Sequence, residues 1–246
     1  PVDLLWNGGI GTYVKASTES NADVGDKAND AIRVNGEDLR VRVVGEGGNL
    51  GLTQLGRIEF DRNGGKINTD AIDNSAGVDT SDHEVNIKIL LNEAVQAGDL
   101  TMKQRDKLLA QMTDDVAQLV LRDNYLQSQA LSIAEAQSFT LLDQQNRFMK
   151  ALERTGRLDR GIEFLPDDEA VRQRLKQRIG LTRPEMAVLL SYAKNSIYDE
   201  LLPSDLPDDP QLEDDLVKYF PGALQKSYRE QIGQHRLRRE IIATVV

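Results

Sequence analysis

The feature that most constrains the fold is a change in glycine content and in hydrophobic periodicity near residue 98. Of the 19 glycines among the 246 residues, 14 lie at or before Gly98, between short apolar runs. After Leu100 glycines are few, and apolar residues recur at the three- and four-residue spacing of helices. A chain of this length suits one large domain or two ordinary ones. This change therefore predicts an α/β region over 1–98 followed by an all-α region over 99–246.

Short apolar runs in the first region predict β-strands. They are Val2–Trp6, Leu39–Val44 and, more weakly, Lys66–Thr69. A glycine-rich loop, Gly45–Gly51, follows the second run. Strands that alternate with helices favour βαβ units and a parallel sheet. In such sheets ligands bind at the carboxyl ends of the strands, where these loops lie.

Start signals in the second region predict a series of helices. Thr101 and Gln104 have the spacing of a capping box, and Thr182 and Glu185 repeat it. Pro184 fits the first turn of the second of these helices, where a missing N–H costs nothing. Residues 203–210 hold three prolines and three acidic residues, which indicates a linker between helices.

The last segment, Pro221–Val246, predicts one helix with five basic residues: Lys226, Arg229, Arg236, Arg238 and Arg239. Two interpretations stay open, a basic docking face and an ordinary solvated helix surface. Apolar runs stand at both ends of the chain. We therefore expect it to be cut from a longer protein, with its helical region truncated at the C-terminus.

Composition excludes several classes of function. There are no cysteines, which rules out disulfides, thiolate metal sites and cysteine nucleophiles. Because His83 and His235 are the two histidines, no metal site is expected. The net charge of −10 argues against nucleic-acid binding. No apolar stretch approaches the roughly 20 residues of a membrane helix, and the first residues lack a signal peptide, so a cytoplasmic protein without membrane partners is expected.

The loop Gly45–Gly51 superficially resembles a dinucleotide-binding fingerprint. The G-x-G-x-x-G spacing requires glycine at position 50, but Leu50 stands there and Gly51 comes one residue late. Glycines still let the backbone approach a ligand closely. A tight structural turn and a ligand-binding loop both remain open.

The stretch 73–84 is the densest polar segment, and an apolar helical pattern follows it. Ser81 and Glu84 have capping-box spacing, which predicts that Ser81 initiates this helix. The same geometry, a helix N-terminus with a hydroxyl, would also suit a carboxylate or phosphate. His83 has a side chain suited to general-base catalysis, but in a first helical turn a structural role is the expectation.

Two linked motifs resemble signatures of the glutamate dehydrogenase superfamily. Val44–Asn49 is similar to the family's E-G-A-N turn, and Asn74–Ser81 to its N-A-G-G-V-x-x-S segment. Gly48 replaces an alanine in the first motif, and Ser75-Ala76 replace alanine-glycine in the second. The segments 6–15, 51–54 and 81–88 are similar to the large bacterial NAD-specific glutamate dehydrogenases, whose chains end in a helical domain.

This resemblance implies a part of an enzyme. Residues 1–98 would be the C-terminal half of a Rossmann-like NAD-binding domain, and residues 99–246 a helical domain. In the family the glycine fingerprint and the catalytic lysine and aspartate precede this region, so no catalytic residue is assigned here. The choice of NAD over NADP also comes from the resemblance.

Site residues follow from matching positions in the motifs. Asn49 is expected near the nicotinamide ribose and Asn74 at the nicotinamide carboxamide, where an amide can both donate and accept. Ser81 would donate to the side-chain carboxylate of glutamate or 2-oxoglutarate. The expected coenzyme contacts also include Gly47 and Gly48 in the loop, with Asn7 and Gly8 after the first strand.

The implied reaction is the reversible oxidative deamination of L-glutamate to 2-oxoglutarate and ammonia. The chain alone is expected to be inactive, and the full-length protein to act with its upstream domains as a homo-oligomer. An alternative from another class is a helical interaction or regulatory module that does not bind coenzyme. The linked motifs favour the enzyme, and the lack of a nucleotide fingerprint favours the alternative.

Overall fold

The computed structural model describes residues 2–246 and is mostly helical. In chain order the strands and α-helices are β1 (Leu4–Asn7), β2 (Val14–Lys15), α1 (Asn21–Val24), β3 (Val34–Asn35), β4 (Val43–Glu46), α2 (Gln54–Arg62), α3 (Asp70–Asp73), α4 (Ser75–Ala97), α5 (Met102–Gln111), α6 (Thr113–Ala136), α7 (Ser138–Arg154), α8 (Asp168–Gln177), α9 (Arg183–Leu201), α10 (Glu213–Tyr219), α11 (Gly222–Ser227), α12 (Arg229–Gly233) and α13 (Arg238–Val245). None of the described helices is long and apolar enough to cross a membrane.

The chain forms two compact units, and the boundaries between them do not coincide with the change in sequence pattern at residue 98. The first unit contains the residues up to Ser75 together with Leu126–Tyr192. The second contains Ala76–Tyr125 and Ala193–Val246. The division into 1–98 and 99–246 therefore stays a prediction about the domains of the whole protein.

The strands of the first unit form two small parallel sheets. β1 pairs with β4, with Leu4 opposite Val43 and Asn7 opposite Glu46. β2 pairs with β3. The first sequence run is thus confirmed as a strand. The predicted second strand, Leu39–Val44, is wrong over most of its length, because strand pairing begins only at Val43. The third run, Lys66–Thr69, contributes a single bridge from Lys66 to Val43.

Each unit has its own apolar core. In the first unit one cluster covers the β-strands, with Val14, Val44, Leu52, Phe60 and Ile67 as its buried members. A second cluster of that unit joins the helices and includes Leu142, Met149 and Met186. In the second unit the core contains Leu90, Leu91, Phe220 and Leu224.

The predicted capping signals are realised to different degrees. At the start of α5 the Thr101 hydroxyl accepts from Gln104 N at 3.3 Å and the Gln104 side chain accepts from Thr101 N, so this capping box is confirmed. At α9 the Glu185 carboxylate accepts from Thr182 N at 2.7 Å, but the buried Thr182 hydroxyl has no hydrogen-bond partner in the part of the chain that the structure describes. Only the Glu185 half of the second box is therefore formed. The Glu185 carboxylate is also held by Arg174 at 2.7 Å.

The prediction of one helix over Pro221–Val246 is wrong. The segment folds as α11, α12 and α13, which pack into the core of the second unit through Leu224, Ile232 and Ile241. Several of its arginines form ion pairs: Arg229 with Asp214, Arg236 with Glu93, and Arg239 with Asp208. A continuous basic docking face is therefore not formed.

Candidate functional site

The carboxyl ends of β1 and β4 bring four of the predicted coenzyme residues together. The backbone N–H groups of Gly47 and Gly48 donate to the carbonyl oxygen of Asn7 at 2.8 and 3.2 Å. Gly8 follows Asn7 directly and is exposed. The parallel pairing of β1 and β4 thus places Asn7, Gly8, Gly47 and Gly48 at one edge of a sheet, where ligands of α/β proteins bind.

Packing within the loop explains why its glycines are glycine. A Cβ atom at Gly47 would lie 2.5 Å from the ring of Trp6, and one at Gly48 would lie 2.6 Å from the carbonyl oxygen of Gly9. Real Cβ atoms do not approach other atoms this closely. The close fit of the loop on β1 is therefore a structural reason for both glycines.

Asn49 and Asn74, one from each of the two linked motifs, lie in contact. Asn49 lies in the loop after β4, and Asn74 lies between α3 and α4. The Asn74 Nδ2 donates to the Asn49 Oδ1 at 3.1 Å. This bond uses one side-chain donor and one side-chain acceptor. The side-chain NH₂ group of Asn49 and the side-chain oxygen of Asn74 can therefore form further hydrogen bonds.

A buried ion pair that was not predicted from the sequence stabilises the end of β4, where the loop Gly45–Gly51 begins. Glu46 ends β4 with its side chain fully buried, and Arg57 on α2 reaches its two oxygens at 2.7 and 3.0 Å. Burial raises the pKa of Glu46, and the hydrogen bonds and charge of Arg57 oppose that effect. Asp70 adds a second carboxylate 3.3 Å from the guanidinium and accepts from the backbone N–H of Leu50 at 2.7 Å.

A second chain of polar contacts fixes the start of the loop. The backbone N–H of Glu46 donates to Asp73 at 2.9 Å, and Asp73 also accepts from Asn68 at 2.6 Å. Arg183 in turn donates to the Oδ1 of Asn68 at 2.6 Å. The available sequence signal is Asp73, which directly precedes Asn74 and belongs to the polar segment 73–84.

Leu50 adopts an uncommon backbone conformation at the tip of the loop. Its φ is 60°, in the left-handed region, and its side chain is exposed. Non-glycine residues in this region are strained unless their surroundings hold them, and such residues cluster at functional sites. The bond from its N–H to Asp70 supplies part of that support.

Ser81 does not initiate a helix, so the predicted capping role is wrong. Helix α4 begins six residues earlier, at Ser75, and places Ser81 in its second turn. The predicted anion site at a helix N-terminus at Ser81 is wrong for the same reason. The Ser81 side chain is exposed, and its role toward the substrate stays a prediction.

Asn7 offers a donor that is not used within the described residues. Its Nδ2 is buried and has no hydrogen-bond partner, although its backbone carbonyl binds Gly47 and Gly48. Buried amide groups are nearly always paired. The donor lies against Gly51, where an added Cβ atom would be 1.7 Å from it.

His83 is buried in the second unit and has acidic neighbours. Asp79 lies one turn before it on α4, and Asp123 lies on α6. Burial lowers the pKa of His83, while burial and the charges of Asp123 and Asp82 raise the pKa of Asp79 to about 6. The expected structural role of His83 is consistent with its burial, but no hydrogen bond from a described residue holds its ring.

Comparisons with known proteins identify the family. The family profile described as bacterial NAD-glutamate dehydrogenase, catalytic domain, matches residues 1–134, and the profile described as glutamate dehydrogenase, C-terminal, matches residues 178–246. The chain is 56% identical to the NAD-specific glutamate dehydrogenase of Pseudomonas aeruginosa over 246 residues and 56% identical to that of Halomonas elongata over 245.

A third relative is more distant but aligns over the same extent. The NAD-specific glutamate dehydrogenase of Mycobacterium tuberculosis is 50% identical over 246 residues. In each comparison the whole chain aligns and spans 15% of the relative's length. The resemblance in the two linked motifs is thus confirmed over the full sequence, and the chain belongs to the bacterial NAD-dependent glutamate dehydrogenase family.

Proposed function

We propose that the full-length protein containing this chain catalyses the reversible oxidative deamination of L-glutamate. Glutamate, NAD⁺ and water give 2-oxoglutarate, ammonium, NADH and a proton. The proposal is supported by the family membership and by the names of the relatives, all of which are NAD-specific glutamate dehydrogenases. It is favoured over a regulatory module without coenzyme, because the catalytic-domain profile covers the loop residues and part of the helical region.

In this proposal residues 1–98 are the second half of a Rossmann-like coenzyme domain, and residues 99–246 are a helical domain. The parallel pairing of β1 with β4 and the loop after β4 support the first assignment. The catalytic lysine and aspartate of the family belong to upstream domains of the same protein. This chain would therefore bind and orient, and it would not transfer protons.

The hydrogen bond between Asn49 and Asn74 is the observation that carries the proposal. It joins the two motifs at one place and leaves the Asn49 amide donor and the Asn74 carbonyl acceptor to bind a ligand. A nicotinamide carboxamide needs one of each. Gly47, Gly48 and Gly8 would bring the backbone close to the coenzyme, and the buried Asn7 amide would supply a further donor.

NAD, when bound, supplies the acceptor for the hydride that leaves the α-carbon of glutamate. The contribution of this chain is to hold the reacting groups in position, which lowers the entropic part of the barrier. Ser81 would donate its hydroxyl proton in a hydrogen bond to the side-chain carboxylate of the substrate. That bond would fix the end of glutamate remote from the reacting carbon.

Two substitutions in the full-length enzyme test these roles. Loss of a hydrogen bond to a charged carboxylate costs about 1.5–3 kcal/mol, so Ser81→Ala is expected to raise the KM for glutamate roughly 10- to 150-fold. The KM for NAD should hardly change in Ser81→Ala. Asn74→Ala is expected to show the reverse pattern, with weaker NAD binding and a smaller change for glutamate.

Thr80→Ala is the matched control, because Thr80 is an exposed hydroxyl on the same helix and adjacent to Ser81. It should leave both KM values within about twofold of the parent enzyme. Since Ser81 is not a helix cap, Ser81→Ala should also leave the melting temperature nearly unchanged. A glutamate KM in Ser81→Ala that equals that of Thr80→Ala would remove Ser81 from the substrate site.

A further inference from the structure

Three side chains of the second unit converge outside the proposed coenzyme loop. Asp79 and His83 are four residues apart on α4, a spacing that places them on one face of a helix. Asp123 approaches from α6. The Nε2 of His83 lies 3.7 Å from an Asp79 oxygen and 3.9 Å from an Asp123 oxygen. The three nearest nitrogen and oxygen atoms all lie within 4.8 Å of one another.

The His83 ring is buried and has no hydrogen-bond partner among residues 2–246. Only 1% of the residue is exposed, and neither Nδ1 nor Nε2 forms a hydrogen bond within the described part of the chain. Buried polar groups in native proteins are nearly always bonded, and an exception calls for a specific explanation such as an ion. The second histidine shows the contrast, since the Nε2 of His235 contacts the Asn86 carbonyl and its Nδ1 accepts from Leu237 N.

The distances around His83 suit two ligands of one metal ion better than a hydrogen bond. A hydrogen bond from nitrogen to oxygen spans about 2.7–3.2 Å, which is shorter than either contact. Nitrogen and oxygen ligands lie about 2.0–2.2 Å from a tetrahedral zinc ion, which sets them roughly 3.3–3.6 Å apart. The observed 3.7 and 3.9 Å lie just above this range, within reach of a small side-chain rotation.

The surroundings hold the ring in place and supply negative charge. His83 stacks on Tyr219, with ring centroids 4.3 Å apart and planes 22° from parallel. The Tyr219 hydroxyl oxygen in turn accepts from Asn86 Nδ2 at 2.8 Å. The acidic groups that act on the cluster are Asp79, Asp82 and Asp123, and one cation, Lys194, acts on Asp79.

We propose that Asp79, His83 and Asp123 bind one divalent transition-metal ion, with Zn²⁺ as the preferred ion. One imidazole nitrogen and two carboxylate oxygens are ligands that Zn²⁺ accepts, and the imidazole disfavours Mg²⁺ and Ca²⁺. Water would fill the fourth position. The ion would link α4 to α6. This site lies beyond the proposed function and revises the expectation, drawn from the shortage of histidines and cysteines, that the chain binds no metal.

The experiment compares two substitutions that remove the same charge. Asp123→Asn removes a proposed ligand, whereas Asp82→Asn removes a neighbouring carboxylate that is not a ligand. The full-length protein is stripped with chelator and titrated with Co²⁺, and the visible absorption of the bound ion is followed. The parent protein should bind one more equivalent of Co²⁺ per subunit than Asp123→Asn, and added Zn²⁺ should displace it. Asp123→Asn should lower affinity at this site by about 10-fold or more, and Asp82→Asn by no more than about threefold.

Two results would overturn the proposal. One is equal Co²⁺ uptake by the parent protein and Asp123→Asn, and the other is an equal loss in Asp82→Asn, which would indicate attraction by charge alone. His83→Gln should lose the site as Asp123→Asn does. If His83→Gln does not fold, the pair at Asp123 and Asp82 still decides, because Asp82 is exposed and the Asp123 side chain is about half exposed. Zn²⁺ should also raise the melting temperature of the parent protein and of Asp82→Asn, and not that of Asp123→Asn.

Discussion

Gly48 lies where a side chain would meet backbone rather than a movable side chain. A Cβ atom there would approach the Gly9 carbonyl to 2.6 Å. We expect Gly48→Ala to destabilise the chain by about 1–3 kcal/mol, since β1 and the loop would have to separate. Gly222→Ala is the control, because nothing lies within 4 Å of its Cβ position. The check is the urea midpoint of each variant. Equal midpoints would show that the loop accommodates the added methyl group without loss of stability.

Asp61 gives a pH dependence that can be measured. Burial raises the pKa of Asp61 to about 6, from an ordinary value of 3.8. The folded state therefore binds more protons than the unfolded state between those values, and the contribution of Asp61 to stability falls as pH rises from about 4 to about 6. Asp61→Asn stays neutral throughout this range.

Asp61→Asn should therefore be more stable than the parent chain at pH 7 and equally stable near pH 4. After allowance for the partial exposure of the side chain, the gain at pH 7 is about 1 kcal/mol. Urea unfolding at a series of pH values measures it. A difference that is the same at pH 4 and pH 7 would mean that Asp61 titrates normally in the folded chain.

At the scale of elements, the two predicted capping boxes should differ in how much each threonine hydroxyl contributes to stability. The hydroxyl of Thr101 caps α5, so Thr101→Ala should cost about 1 kcal/mol of stability. The hydroxyl of Thr182 makes no hydrogen bond to any described residue, so Thr182→Ala should cost less than Thr101→Ala. Thermal unfolding of the two variants tests the ranking. A larger loss in Thr182→Ala would show that its hydroxyl has a partner in solution.

Local signals in the sequence predicted elements well where the element depends on its own residues. The α5 capping box, Pro184 in the first turn of α9 and the strand ending near Trp6 follow from such signals. The start of α4 could not be found this way, because Ser81 and Glu84 mimic a cap inside a longer helix. The terminal segment was also misjudged, since burial of its apolar residues in the second core breaks it into three helices.

The site shows the same division between local and long-range information. Motif matching predicted Asn49 and Asn74 as coenzyme contacts, which stays a prediction, whereas the hydrogen bond between them is seen only in the structure. The support by Arg57 on α2 and Arg183 on α9 was not predicted, because each meets a residue far away in sequence. No spacing rule joins Arg183 to Asn68.

For the molecule as a whole, the 246-residue chain is expected to show no glutamate-dependent reduction of NAD. The chain spans 15% of its relatives' length, and under the proposed function the catalytic lysine and aspartate lie in upstream domains. An NADH absorbance assay with the purified chain, beside the full-length enzyme as positive control, tests this. Turnover by the chain alone would contradict the assignment of catalysis to the upstream domains.

The loop between β4 and α2 also bears on the thermodynamics of ligand binding. Trp6, the Asn7 carbonyl and the charged pair of Glu46 and Arg57 already hold its backbone in one shape. A ligand that docks on such a surface has little chain entropy to remove, so more of its contact energy appears as affinity. Under the proposed function, coenzyme would meet a preorganised platform and would not have to fold the loop around itself.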